Sequence, residues 1–126
     1  MESAEAYIKE CVVRVEPGRF AIVKAGGGFE GAFAVVKDAK ETTVIISENQ
    51  LEKVDALQTE FGWRLITFDV VMPFEVVGFL AAVSGALAKE NIPIFAVSAF
   101  STDHIFVQDR DLSKTLGILR KLGCGF

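Results

Sequence analysis

Two stretches of this chain repeat one another in order. AFAVVKDAKETTVIISENQLEKVDAL, beginning at Ala32, runs parallel to IFAVSAFSTDHIFVQDRDLSKTLGIL, beginning at Ile94. Phe33-Ala34-Val35 falls on Phe95-Ala96-Val97, and Val44-Ile45-Ile46 falls on Ile105-Phe106-Val107 after a one-residue length change. Leu51, Lys53 and Leu57 fall on Leu112, Lys114 and Ile118. A collinear match of this kind means that one supersecondary unit occurs twice, so the fold must accommodate two copies of it.

The elements of each copy follow from hydrophobic period and turn chemistry. In the first half CVVRVE (11–16) alternates as a strand and stops at the turn pair Pro17-Gly18. RFAIVK (19–24) is a second strand, followed by the loop AGGGFEG; AFAVVK (32–37) and TVIIS (43–47) are two more. Leu51, Val54 and Leu57 recur every three residues, which predicts a short helix over Gln50–Leu57. In the second half WRLITFDV (63–70) is a strand, and Met72-Pro73-Phe74-Glu75 has the proline and following acid of a helix start. That helix extends to about Asn91, with Val76, Leu80, Val83 and Leu87 on one face. IFAVS (94–98), a tight loop over Phe100–His104 and a strand at Ile105–Val107 follow, and Asp111 caps a last helix with Leu112, Leu116 and Leu119 on its core face.

This order predicts an α+β fold of two abutting βαββαβ, ferredoxin-like modules with antiparallel sheets and helices on one face. By chain order the modules are residues 1–60 and 61–126, the first lacking its first helix, where only AGGGFEG stands. The second lacks a fourth strand after its last helix. Residues 11–16 lie outside the repeat and are expected to fill that edge.

Composition narrows the function classes. The chain has 126 residues, 51% hydrophobic and 24% charged, enough apolar surface for a core. Its eleven Phe exceed what so small a globule buries easily, so part of the aromatic surface is expected in an interface, which points to a homodimer. The net charge of −4, with Lys and Arg scattered beside acids, argues against nucleic acid. Residues 1–10 hold no signal-peptide apolar segment, and the apolar run Val76–Ala88 is too short to span a bilayer. A cytoplasmic protein with no membrane or nucleic-acid partner is the expectation. Cys11 and Cys124 lack CxxC spacing and are read as buried, reduced thiols, with a disulfide or metal site as the alternatives.

No motif supplies catalysis. Gly26 to Gly31 formally satisfies GxGxxG, yet a strand rather than a helix follows, so the dinucleotide reading fails. His104 is the single histidine, with no nucleophile to serve, and reads as a hydrogen-bonded structural residue. Asp69 and Glu75 are the one pair of carboxylates near a strand–helix junction. No enzyme, cofactor or metal is expected.

PGRFAIVK, GWRLITFDV and above all GFLAAVSGALAKENIPIFAVSAFSTDHIFVQDRDL resemble small tandem ACT-domain proteins, relatives of the ACT domains of aspartate kinase and of the cytosolic arginine sensors. The resemblance covers about residues 11–123 and implies an amino-acid-binding regulatory protein, its effector held where modules meet. It places the ligand between the loop Val71–Gly78 and the loop Ser98–Asp103. The residues so implied are Met72, Pro73, Phe74, Glu75, Val76, Gly78, Phe79, Ala99, Phe100, Ser101, Thr102 and Asp103. Phe100 and Asp103 match pocket residues of the arginine sensors, whereas Val76 stands where those sensors carry an acid, so arginine itself is not implied.

Read physically, a helix start at Pro73–Gly78 offers unpaired amides to a carboxylate, and Asp103, Ser101 and Thr102 face it to meet an ammonium. Plainer roles compete: Asp103 as a turn residue, Gly78 as a helix–sheet contact, Phe100 as core. A ligand-free interaction module with a vestigial pocket is the alternative function.

Overall fold

The computed structural model describes residues 3–126. In chain order the elements are α1 (Ala4–Glu10), β1 (Val12–Val15), β2 (Phe20–Ala25), β3 (Ala34–Lys37), β4 (Thr42–Ser47), a 3-10 turn (Glu48–Lys53), β5 (Ala56–Asp69), α2 (Phe79–Ala88), β6 (Phe95–Ser98), β7 (Asp103–Gln108), a second 3-10 turn (Asp109–Asp111) and α3 (Leu112–Leu122). They form two compact units. One is Pro17–Arg64; the other combines the segment up to Glu16 with Leu65–Phe126. The division therefore does not follow chain order at residue 60: the segment before Pro17 packs with the second half.

In Pro17–Arg64 the strand order is β3-β4-β2-β5. β2 pairs antiparallel with β4 from Phe20↔Ser47 to Ala25↔Thr42, and with β5 from Phe20↔Trp63 to Ala25↔Ala56. Ala21, Val23, Ala25, Val44 and Ile46 are its core, with Phe29, Ala32, Leu51 and Val54 packed on them. The helix expected over Gln50–Leu57 is not formed. The chain makes one 3-10 turn over Glu48–Lys53, then extends at Val54 and pairs with β2 from Ala56 onward. A single tight turn already brings Leu51 and Val54 to the core, and the ladder satisfies the backbone beyond it. AGGGFEG leads straight into β3, with no helix, as the sequence requires.

In the other unit the order is β6-β7-β5-β1. β1 pairs antiparallel with β5 from Val12↔Asp69 to Val15↔Ile66, and β6 with β7 from Phe95↔Phe106 to Ser98↔Asp103. Residues 11–16 thus take the fourth-strand position beside β5, as expected. The two strands equated by the repeat are alike in burial: Val44, Ile45, Ile46 and Ile105, Phe106, Val107 are all 0% exposed.

The three helices share one core with Val13, Ile66, Phe68, Ile105 and Val107. Helix α1 has no counterpart in the sequence reading; Ser3 caps it by accepting from the Ala6 amide at 3.3 Å, and Tyr7 and Ile8 are its buried face. α2 begins at Phe79, not near Pro73. The Val76 amide donates to the Pro73 carbonyl in an isolated turn, and Gly78 at φ +95° breaks the path before the helix starts. Asp111 precedes α3 with helical torsions and its side chain makes no capping bond, contrary to expectation. Among the described residues no helix is long and apolar enough to cross a membrane.

Candidate functional site

Two loops on the Leu65–Phe126 side of the chain enclose a cleft. The first joins β5 to α2; the second is the turn of the β6–β7 hairpin. Three contacts fix them. The Met72 amide donates to the Ser101 carbonyl at 2.9 Å and ties one loop to the other. The Ala99 amide donates to the Thr102 carbonyl at 2.9 Å and closes the hairpin. Phe68 and Phe79 meet edge to face, centroids 5.4 Å apart, so the first residue of α2 is anchored on β5. Both rings are buried, and removing either would cost about 3–5 kcal/mol of stability.

The cleft has a volume of about 280 Å³. All the ligand residues singled out in the sequence line it except Glu75, which is exposed. Leu80 and Ala81 of α2 line it as well, and the sequence reading omits them; Ser98 of β6, the first residue of the second loop in that reading, lines it too. The omission follows from the misplaced helix start. With α2 beginning at Phe79, the amides of Phe79, Leu80 and Ala81 are the ones left without an intrahelical acceptor, the first helical bond being Ala82 to the Gly78 carbonyl. No side chain caps them. Gly78 has a left-handed backbone, φ +95°, a conformation that favours glycine there.

Across the cleft Asp103 is the one charged lining residue. Ser98 Oγ donates to Asp103 Oδ1 at 2.7 Å, while Ser101 and Thr102 are half-buried at the turn. At the mouth Phe74 and Phe100 form a tilted pair, centroids 4.7 Å apart. Their exposures of 72% and 80% exclude the core role considered for Phe100. Val71 and Val77 are exposed beside them in sequence, so this loop carries an apolar rim. The arrangement offers amide donors at one wall, a carboxylate at the other and aromatic surface between.

The remaining candidates fall elsewhere. His104 Nδ1 lies 2.9 Å from Thr67 Oγ1, a structural hydrogen bond, and burial pushes its pKa below the ordinary histidine value despite the neighbouring Asp103 carboxylate. Asp69 is held by Arg14 Nε at 2.7 Å, with both side chains largely exposed. Among the described residues no cluster of His, Cys, Asp or Glu is arranged to hold a metal ion.

A sheet with helices on one face and a cleft between a helix-entry loop and a hairpin turn define a small α+β domain. The ACT domain family matches residues 58–121, and the chain belongs to that family. No curated protein matches the chain. Solved structures share the fold over nearly the whole length. A Vibrio cholerae protein of unknown function is similar at 20% identity and TM-score 0.77, with 96% of each chain covered. An Agrobacterium tumefaciens protein is similar at 24% identity and TM-score 0.74, covering 91% of this chain and 90% of that one. The ligand-free regulatory subunit of aspartate kinase from Thermus thermophilus is similar at 7% identity and TM-score 0.65, covering 87% and 95%.

Proposed function

We propose that this protein is a regulatory module that binds a free amino acid in the cleft between Met72–Ala81 and Ser98–Asp103. The observation that carries the reading is the pairing of uncapped α2 amides with the Asp103 carboxylate across a space of about 280 Å³. An α-carboxylate suits the amides and the helix dipole; an α-ammonium suits Asp103. The side chain then meets Phe74, Phe100 and Met72. No Lys or Arg lines the cleft, so an acidic side chain is disfavoured. Membership in the ACT family supports a regulatory role over a catalytic one, as does a fold shared with aspartate kinase regulatory subunits.

The reading extends to the whole chain. Pro17–Arg64 is a degenerate ACT-type module whose first helix is replaced by AGGGFEG, and its strand order matches that of its companion. We place the protein in the cytoplasm as a homodimer, with the apolar rim Val71, Phe74, Val77 and Phe100 available to a second copy. Ligand changes the partner's state only by its differential affinity for two arrangements of the protein.

Thermal-shift screening of the twenty amino acids, followed by calorimetry on any that respond, tests the reading. A saturable, stoichiometric response to a narrow set is expected, and no response to any at millimolar concentration overturns it. The same apolar rim favours a second reading, a ligand-free interaction module. Constant dimerisation in sedimentation, with no amino acid binding, would select it.

A further inference from the structure

Cys11 and Cys124 stand at opposite ends of the sequence, yet the fold lays them side by side. The Val13 amide donates to the Gly125 carbonyl at 2.8 Å and the Gly125 amide to the Cys11 carbonyl at 3.0 Å. These two bonds make Val12 and Gly125 a parallel bridge pair. One position back in the same register, Cys11 is abreast of Cys124. Strands so paired are about 4.8 Å apart, inside the 4.4–6.8 Å range of Cα separations that a disulfide spans. Both side chains turn away from the Val12 side into one core cluster, where they are 1% and 5% exposed. The two thiols are neighbours, and Cys11 Sγ donates its one proton to the Ile8 carbonyl at 3.3 Å.

We infer that Cys11 and Cys124 are a redox-convertible pair, which a low-molecular-weight disulfide oxidises to an intramolecular bond joining the end of α1 to the segment after α3. Cys124 is the attacking thiol. The neighbouring Cys11 thiol draws the pKa of Cys124 down, while Cys124 and burial push that of Cys11 up, so Cys124 ionises first. Access comes from local opening: Gly123, at φ +114°, and Gly125 flank it, and opening must release the two backbone bonds to Cys11 and Val13, the bond from the Cys124 amide to the Leu119 carbonyl at 3.1 Å and the Arg120–Phe126 contact. The Cys124 thiolate displaces one small thiolate from the disulfide and forms a mixed disulfide. As the strand recloses, Cys11 gives its proton to the departing thiolate and attacks the Cys124 sulfur, releasing the second small thiol. Two protein thiols become one disulfide, and one small disulfide becomes two thiols. The ring so closed contains nearly the whole chain, the case in which a cross-link restricts the unfolded state most.

The test is incubation of the reduced, folded full chain with oxidised glutathione, followed by intact mass, non-reducing peptide mapping and urea unfolding. Expected are the loss of two hydrogens, a Cys11–Cys124 linked peptide without retained glutathione, and an unfolding midpoint raised by about 1 M urea and restored by dithiothreitol. In Cys11→Ala the glutathione adduct should persist on Cys124, and Cys124→Ala should remain unmodified while folded. Retained adducts on the wild-type protein, links only between molecules, or a Cys11–Cys124 bond formed only in denaturant would overturn the inference. Should either variant fail to fold, the wild-type peptide map alone decides.

Discussion

Ser98 and Asp103 are opposed across the β6–β7 ladder, and their side chains meet: Ser98 Oγ donates to Asp103 Oδ1 at 2.7 Å. One oxygen of the carboxylate is therefore occupied by the hairpin itself, and under the proposed function the other meets the ligand's ammonium. The serine acts as a positioning residue. Asp103→Asn keeps the shape and removes the charge, so it should weaken amino acid binding by about 10- to 100-fold, the worth of one charge-assisted contact. Ser98→Ala should cost less, about 3- to 10-fold, because the carboxylate survives but loses its fixed rotamer. Both substitutions are near the surface and should leave the urea midpoint almost unchanged. Calorimetric titration of the two variants with the responding amino acid checks the order; equal losses would mean that the serine does more than hold Asp103.

Gly78→Ala is expected to act through backbone strain. A Cβ there would meet Ala4 Cβ at 3.8 Å, an ordinary contact, so space is not the obstacle. The obstacle is φ +95°, which costs an L-residue about 1–2 kcal/mol. Because Gly78 delivers the first turn of α2 to the cleft, the variant should lose that much stability and also lose ligand affinity. Urea unfolding beside a binding titration measures both. Loss of stability alone would separate the turn from the amide cradle.

The sheet was legible because its signals are local and redundant. CVVRVE alternates, RFAIVK and TVIIS are apolar β-rich runs, all lie between turn residues, and the repeat ties Val44–Ile46 to Ile105–Val107, the two fully buried triplets. The helices were less so. Leu51, Val54 and Leu57 have a spacing that a 3-10 turn entering a strand satisfies as well as a helix does, and pairing with β2 decides between them. Pro73 imitates a helix start, but only the positive φ of Gly78, which no composition rule reveals, fixes the true one six residues later, at Phe79. Helix α1 is too short to declare itself by period; Tyr7 and Ile8 become its buried face through tertiary packing. Most lining residues of the cleft came from family likeness, and Leu80 and Ala81 escaped because they depend on where α2 begins.

The aromatic pair at the cleft mouth should matter for binding and little for folding. Phe74 and Phe100 are each more than two-thirds exposed, so their mutual contact contributes about 0.5–1.5 kcal/mol at most. Phe100→Ala should shift the unfolding midpoint slightly while weakening binding of amino acids with apolar or cationic side chains by about 10-fold. If the rim instead meets a second copy, the same variant should shift the protein towards monomer. Sedimentation run with and without ligand distinguishes the two effects.

His104 supplies the pH dependence. Its ring sits half-buried beside Thr67 Oγ1 at 2.9 Å, and burial lowers its pKa from the ordinary 6.5, with the Asp103 charge opposing but not cancelling the shift. As the pH falls, the unfolded chain takes up the proton first, since its histidine titrates near the ordinary value. The stabilising contribution of the neutral ring is thus complete above about pH 6.5 and is lost as the pH falls through the lower, folded-state value. Urea midpoints collected from about pH 7.5 down to 5 should decline for the wild-type protein before carboxylate protonation sets in. His104→Asn cannot take up that proton and should flatten the decline, at some fixed loss of stability from the altered contact with Thr67. Matching slopes in the two proteins would mean that the decline originates in the carboxylates and that the histidine keeps its ordinary pKa in the folded state.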